Sequence, residues 1–144
     1  MKFENEQHEK AFQKLAEFCD VKQGFQPAAE DMPGFVIRNE NALVMVLAIP
    51  WGEDRVVVQI RGLMVRDVPF SGKAAQWLLK LNDELVLGAF GWSTESGLFF
   101  EHTIVANDMS QAEFTSSLVA VATTSAAYGP KILEKFGGKP FFED

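Results

Sequence analysis

Residues 42–65 constrain what this chain can fold into more than any other stretch. Ala42 to Ile49 is a β-branched and Leu-rich run, Arg55 to Val65 is another, and only Pro50-Trp51-Gly52-Glu53-Asp54 lies between them. Five residues are enough for a hairpin loop but not for a parallel crossover, so the two runs are antiparallel neighbours. A strand with one face in water alternates apolar and polar residues. These two barely do. In the first, Leu43, Met45, Leu47 and Ile49 form one face, and Val44, Val46 and Ala48 the other. In the second, Val56, Val58, Ile60 and Met64 oppose Val57, Gln59, Arg61, Leu63 and Val65. Both faces of this sheet therefore need cover.

The rest of the chain supplies a limited amount of it. Phe12, Leu15, Ala16 and Cys19 fall at helical spacing, which predicts an amphipathic helix over Glu4–Asp20. Gly24, Pro27 and Pro33-Gly34 mark a loop carrying Phe25. Phe35 to Arg38 predicts a first strand, turned by Asn39-Glu40-Asn41 into the run just described. After Pro69, Ser71 caps a second helix whose apolar positions are Ala74, Trp77, Leu78, Leu81 and Leu85. A second hairpin follows, from Val86 to Trp92 and from Leu98 to Val105. Ser110 with Glu113 makes a capping box for a long last helix, in which Gly129-Pro130 predicts a kink or a break. The order α-β-β-β-α-β-β-α predicts an α+β fold, an antiparallel five-stranded sheet with three helices packed on it. We expect residues 1–144 to form one domain. Three helices suffice for one face of such a sheet. An uncovered apolar patch of more than a few hundred Å² marks an interaction site. The alternative is that the middle helix or the Gly24–Pro33 loop folds across it.

Composition narrows the partners. The net charge is −7, from 13 basic and 20 acidic residues, and no Lys/Arg cluster is present to meet a phosphate backbone or an anionic lipid surface. The N-terminus, Met1-Lys2-Phe3-Glu4-Asn5-Glu6, is too polar for a secretory signal, and no apolar run reaches the roughly 20 residues that span a bilayer. A cytoplasmic location is the expectation. A single cysteine, Cys19, excludes an internal disulfide framework and sits on the apolar side of its helix, where a buried, inert thiol is expected. His8 reads as a surface or boundary residue and His102 as a partly buried strand residue; two histidines this far apart, without spaced carboxylates, make no metal motif. Gly88-Ala89-Phe90-Gly91 and Gly137-Gly138 match neither phosphate-loop nor dinucleotide patterns. No cofactor and no metal are expected. Nor can a nucleophile, base and orienter be assembled, so the chain is not expected to be an enzyme.

The segment Leu78-Leu79-Lys80-Leu81-Asn82-Asp83-Glu84-Leu85-Val86-Leu87-Gly88-Ala89-Phe90 resembles the "LN…lG.f" block of the bacterial YbjN-like proteins. The second hairpin and the Ser110–Tyr128 helix follow where that family has them. The whole element order looks like the fold shared by YbjN-like domains and the class I type III secretion chaperones, over residues 3–136. The resemblance implies a small, acidic, cytosolic and commonly dimeric protein. In the secretion chaperones an extended client segment wraps around apolar surface of sheet and helices. Gly129-Pro130 is the one departure from the pattern.

The leading expectation is thus a non-enzymatic, homodimeric, chaperone-like or adaptor protein that binds a protein or peptide client through apolar sheet surface or a sheet edge. Val44, Val46, Val57, Leu63 and Val65 are the candidates for apolar contact, with Gln59 and Arg61 at the polar rim. Trp77 and Leu81 are the candidates for the dimer interface. The second class is a sensory or regulatory domain binding a small apolar ligand, its pocket lined from the 13 Phe.

Overall fold

Hydrogen-bonding side chains fix where each helix begins. In this computed structural model, which describes residues 1–143, the helices are α1 (Glu6–Phe18), α2 (Gly72–Glu84) and α3 (Gln111–Phe136). Asn5 accepts from the His8 N–H, Ser71 from Ala74 N–H, and Ser110 from Glu113 N–H, while the Glu113 carboxylate reaches back to the Ser110 N–H. Each cap satisfies a donor that the first helical turn would leave orphaned. Ser71 and the Ser110/Glu113 box act as the sequence predicts.

The strands are β1 (Gln26–Pro27), β2 (Gly34–Asn39), β3 (Ala42–Trp51), β4 (Arg55–Arg66), β5 (Ala89–Ser93), β6 (Gly97–Val105) and β7 (Lys139–Pro140). They form one antiparallel sheet in the order β1-β2-β3-β4-β6-β5, with β7 beside the end of β4. The α+β class and the order of the five longer strands and three helices agree with expectation; β1 and β7 add two two-residue strands to the predicted five.

Four local expectations are corrected. Of the kink or break expected at Gly129-Pro130, the break does not occur: helix α3 runs on to Phe136. Pro130 is on the exposed side and Gly129 on the buried side, so the bond Pro130 cannot donate to Ala126 is lost on the outer half of the helix. Val86 and Leu87 belong to a loop, because Gly88 takes φ +84 and the strand begins only at Ala89. In the β2–β3 turn the left-handed residue is Glu40, at φ 54, flanked by the two Asn. His8 is buried rather than at the surface: its Nδ1 accepts the Glu4 N–H at 3.2 Å and its Nε2 lies 2.9 Å from the Ala48 carbonyl. Both ring nitrogens thus have a backbone partner, and the second ties α1 to β3.

The core lies between one face of the sheet and the helices. Phe12 of α1 stacks on Phe35 of β2, and Phe18 of α1 meets Phe114 of α3. Down α3, Ser117, Val121, Ser125 and Gly129 are all buried. These residues are small, which lets the helix backbone lie close to the sheet. Gly62 of β4 completes the fit: a Cβ there would fall 1.9 Å from Ser125 Oγ. Helix α2 joins the same layer at its edge, where Trp77 packs edge-on against Tyr128 and Phe136 of α3.

Candidate functional site: the open face of the sheet

The β3–β4 register decides which residues share a face. Val44 pairs with Gly62, Val46 with Ile60 and Ala48 with Val58; these residues are buried under the helices. Leu43 pairs with Leu63, Met45 with Arg61, Leu47 with Gln59 and Ile49 with Val57 on the opposite face. Burial alternates from Ala42 to Ile49 along β3, and the second set is only half-buried, apart from Leu63. Strand β6 extends the same face through Phe99, Glu101, Thr103 and Val105, which pair with Leu63, Arg61, Gln59 and Val57. The contacts of α1, α2 and α3 described above all fall on the other face.

The predicted contact residues therefore divide. Val57, Gln59, Arg61 and Leu63 lie on the open face. Val44, Val46 and Val65 have no solvent exposure and are core residues under the helices, which corrects their assignment to a partner surface. The cause at Val44 and Val46 is register: they cannot share a face with Val57 and Gln59. Val65 is moved by the irregularity between Leu63 and Val65, after which Val65 stands opposite Leu98 on the covered side. An extra residue in one strand reverses the inside–outside alternation beyond it.

Gln59 and Arg61 are at the centre of the open face, not at its rim. The Arg61 Nε donates to Glu101 Oε2 at 2.6 Å, and Gln59 Nε2 donates to Glu101 Oε1 at 3.3 Å. The Arg61 guanidinium lies over the Phe99 ring, 3.8 Å from its centroid. Arg61 and Glu101 keep about a quarter of their side-chain surface, 25% and 22%. Glu101 is the functional-face residue that sequence reasoning missed; a carboxylate two places from Phe99 on a strand beside β4 was the available signal. Around this polar centre stand Val36, Leu43, Met45, Leu47, Ile49, Val57 and Val105. Trp51 and Val105, at the far end, are 52% and 51% exposed.

Trp77 and Leu81 on α2 are half-buried against the core, whereas Leu79 on the same helix is exposed. Two residues that carry the family resemblance have strict geometric tasks. Asn82 accepts the Phe90 N–H at 2.7 Å and donates to the Phe90 carbonyl at 3.2 Å, pinning the start of β5 to α2. Gly88 makes the turn before it, where a Cβ would meet the Phe100 ring at 2.6 Å. Cys19 is buried, which pushes its thiol up to about 12 and keeps it protonated and unreactive at neutral pH. Many of the Phe rings are spent in core pairs such as Phe12–Phe35 and Phe90–Phe100, not in lining one cavity. No helix of the described residues is long and apolar enough to cross a membrane.

A family model described as TY-Chap1, the type III secretion (YopN, CesT) and YbjN peptide-binding chaperone 1, matches residues 13–144. Among solved structures, a chain of the crystal structure of the ExsC–ExsE complex is similar, with a TM-score of 0.65 and 18% identity. The match covers 87% of this chain and 95% of that one, and at this identity what it shows is a common fold. No curated protein sequence matches the chain.

Proposed function

The chain belongs to the family of type III secretion and YbjN peptide-binding chaperones, and from that premise we propose that it binds an extended protein or peptide segment on the open face of its sheet. In this reading it is a non-enzymatic cytoplasmic homodimer, each copy a single domain over residues 1–144. One observation carries the reading: the apolar ring Leu43, Met45, Leu47, Ile49, Val57 and Val105, on a face the helices leave bare, around the Arg61–Glu101 pair. Apolar residues supply affinity for a client of loose sequence, and the paired charges at the centre keep the bare face from acting as a general adhesive. The net charge of −7 works in the same direction by keeping copies apart until a client or a specific contact joins them. Helix α2 is the proposed dimer contact, through Trp77 and Leu81 with the exposed Leu79.

The test is panning of a random-peptide display library on immobilised wild-type protein and on Val57→Asp. Enrichment of peptides by the wild type, and its loss in a Val57→Asp variant of unchanged circular dichroism, is the expected result. Equal enrichment by both proteins removes the open face from the reading, and no enrichment by either removes peptide binding. The dimer is tested by light scattering: twice the chain mass for the wild type and one chain mass for Leu81→Lys. A wild type at one chain mass ends the dimer proposal.

A further inference from the structure

The segment that follows α3 folds back onto the sheet. Gly138 takes φ +103, a conformation that suits glycine, and a Cβ on it would fall 2.8 Å from the Arg66 carbonyl oxygen. The chain reverses at this hinge and enters β7, which pairs with Val65 and Arg66 on the side of β4 away from β6. Phe141 continues alongside, its N–H donating to the Met64 carbonyl at 3.3 Å. One place further along β4, the position opposite Leu63 belongs to Leu43 of β3, so the segment has to leave the plane of the sheet. It leaves on the open face. Arg38, which pairs with Leu43 there, lays its guanidinium over the Phe142 ring, 3.9 Å from the centroid. Arg66 then meets Glu143 at 3.5 Å.

These contacts fall at one end of the open face, where Arg38, Leu43, Leu63 and Phe99 form a cross-strand row. Among the β4 residues of that face Leu63 alone is buried, at 7% exposure; Val57, Gln59 and Arg61 are half-buried. The hold on the segment is nevertheless slight. Arg66 and Glu143 keep 44% and 46% of their side-chain surface, and an ion pair so exposed contributes little. Strand β7 is two residues long, and Phe141 and Phe142 are half-buried. A cover held by so few contacts belongs to the part of a fold that opens locally, well before the core does.

We propose that residues 141–143 form a strap over the Leu43–Leu63 end of the open face, and that a bound segment displaces it. The inference rests on the peptide-binding reading above and concerns the regulation of that site. A site that is covered in part of the population binds with an affinity lowered by the fraction that is open. The stack of Arg38 on Phe142 is worth about a factor of ten when the ring's own burial is included. The strap is thus closed in about nine molecules of ten, and releasing it restores the full affinity of the face.

Two variants of the whole chain open the strap by different routes. Phe142→Ser removes the ring that Arg38 covers, and Gly138→Ala strains the hinge while every strap side chain stays in place. The probe is a synthetic peptide selected by panning on the wild type, its affinity read by fluorescence anisotropy. Both variants are expected to bind it about tenfold more tightly than the wild type, with unchanged circular dichroism. In the wild type, saturation with the peptide is expected to speed amide hydrogen exchange at Phe141 several-fold, because its bond to Met64 is released. Equal affinity in all three proteins, or a bound peptide with exchange at Phe141 unchanged or slowed, overturns the strap and leaves face binding standing. Weaker binding by the variants also overturns it, since the segment would then be part of the client's site. Failure to select any peptide is the separate failure of the function. The strap is then judged on the free proteins, where both variants are expected to raise the fluorescence of an anilinonaphthalene sulfonate dye at least about twofold, and no rise overturns it.

Discussion

The two faces of this sheet are almost equally apolar and have opposite fates. The covered face meets its helices through small residues. Gly62 of β4 meets Ser125 of α3, Gly129 of α3 comes close to Met64 of β4, and Ala48 of β3 lies against His8 of α1. The open face has longer side chains and a salt-bridged centre, which no helix of this chain can approach closely. Hydropathy alone does not separate the two; close approach does. A helix packs where both surfaces are small enough for the backbones to meet at interior density.

Adjacent residues of β4 give the strongest way to break this comparison. Val58 is fully buried and Val57 half-buried, on opposite faces. Val58→Asp places a carboxylate in the core without a partner, which costs more than about 4 kcal/mol and is expected to abolish the cooperative unfolding transition. Val57→Asp is expected to cost about 1 kcal/mol and to fold. Circular dichroism melts of the pair check this. Two folded variants, or two unfolded ones, would mean that the faces do not differ in cover.

Phe100 and Phe99 repeat the comparison on β6. Phe100 has no exposure and meets Phe90 edge-on, while Phe99 is half-buried beneath the Arg61 guanidinium. Phe100→Ala is expected to lose about 3–5 kcal/mol in urea unfolding. Phe99→Ala is expected to lose about 1 kcal/mol, the cation–π contact and part of an area term. Equal losses would place a covering layer over Phe99 as well.

How much of this was legible beforehand differs by level. The caps at Ser71 and Ser110, the hairpin across residues 50–54 and the antiparallel order follow from local chemistry, and the sequence carries that chemistry in full. Which face of β3 is covered does not follow, because Leu43-Met45-Leu47-Ile49 and Val44-Val46-Ala48 are equally suited to burial. The choice is made by register across a loop and by the irregularity after Leu63, neither of which leaves a mark in the residue types. Gln59 and Arg61 were readable as the more polar side of β4, but their placement at the centre required Glu101, which lies 40 residues further on and is brought opposite Arg61 only by the β4–β6 pairing. Asn82 and Gly88 stood out in the sequence through their family pattern; their physical task is visible only once β5 is seen to begin just after Gly88, with Phe90 bonded to Asn82 of α2.

That task supplies a smaller prediction, at the edge where the two faces meet. Asn82→Ala leaves the Phe90 N–H and C=O without their side-chain partners in a part-buried position, at a cost of about 1–3 kcal/mol. Asn82→Asp keeps the acceptor for the Phe90 N–H and loses only the donor, so it is expected to fall between the wild type and Asn82→Ala in thermal melts. If both variants matched the wild type, the pinning of β5 to α2 would have no energetic weight.

The smallest effect has the opposite sign and tests the covered face from inside. Ser125 is fully buried against Gly62, and among the described residues its hydroxyl has no hydrogen-bond partner. Its small size is what the close helix–sheet contact requires; its oxygen is not. A buried hydroxyl without a partner costs about 1–3 kcal/mol relative to one that is paired, and Ala is the better helix former by a few tenths. Ser125→Ala removes the oxygen and keeps the Cβ, so the backbones keep their spacing. The expected outcome is a stabilisation of about 1 kcal/mol, a rise of a few degrees in Tm. Ser125→Val adds bulk at the same point and is expected to lower Tm, since the β4 backbone at Gly62 cannot yield. A drop in Tm for Ser125→Ala would mean that the hydroxyl is bonded in solution, to a buried water or to the Val121 carbonyl one turn back, and that the covered face is not held by close approach alone.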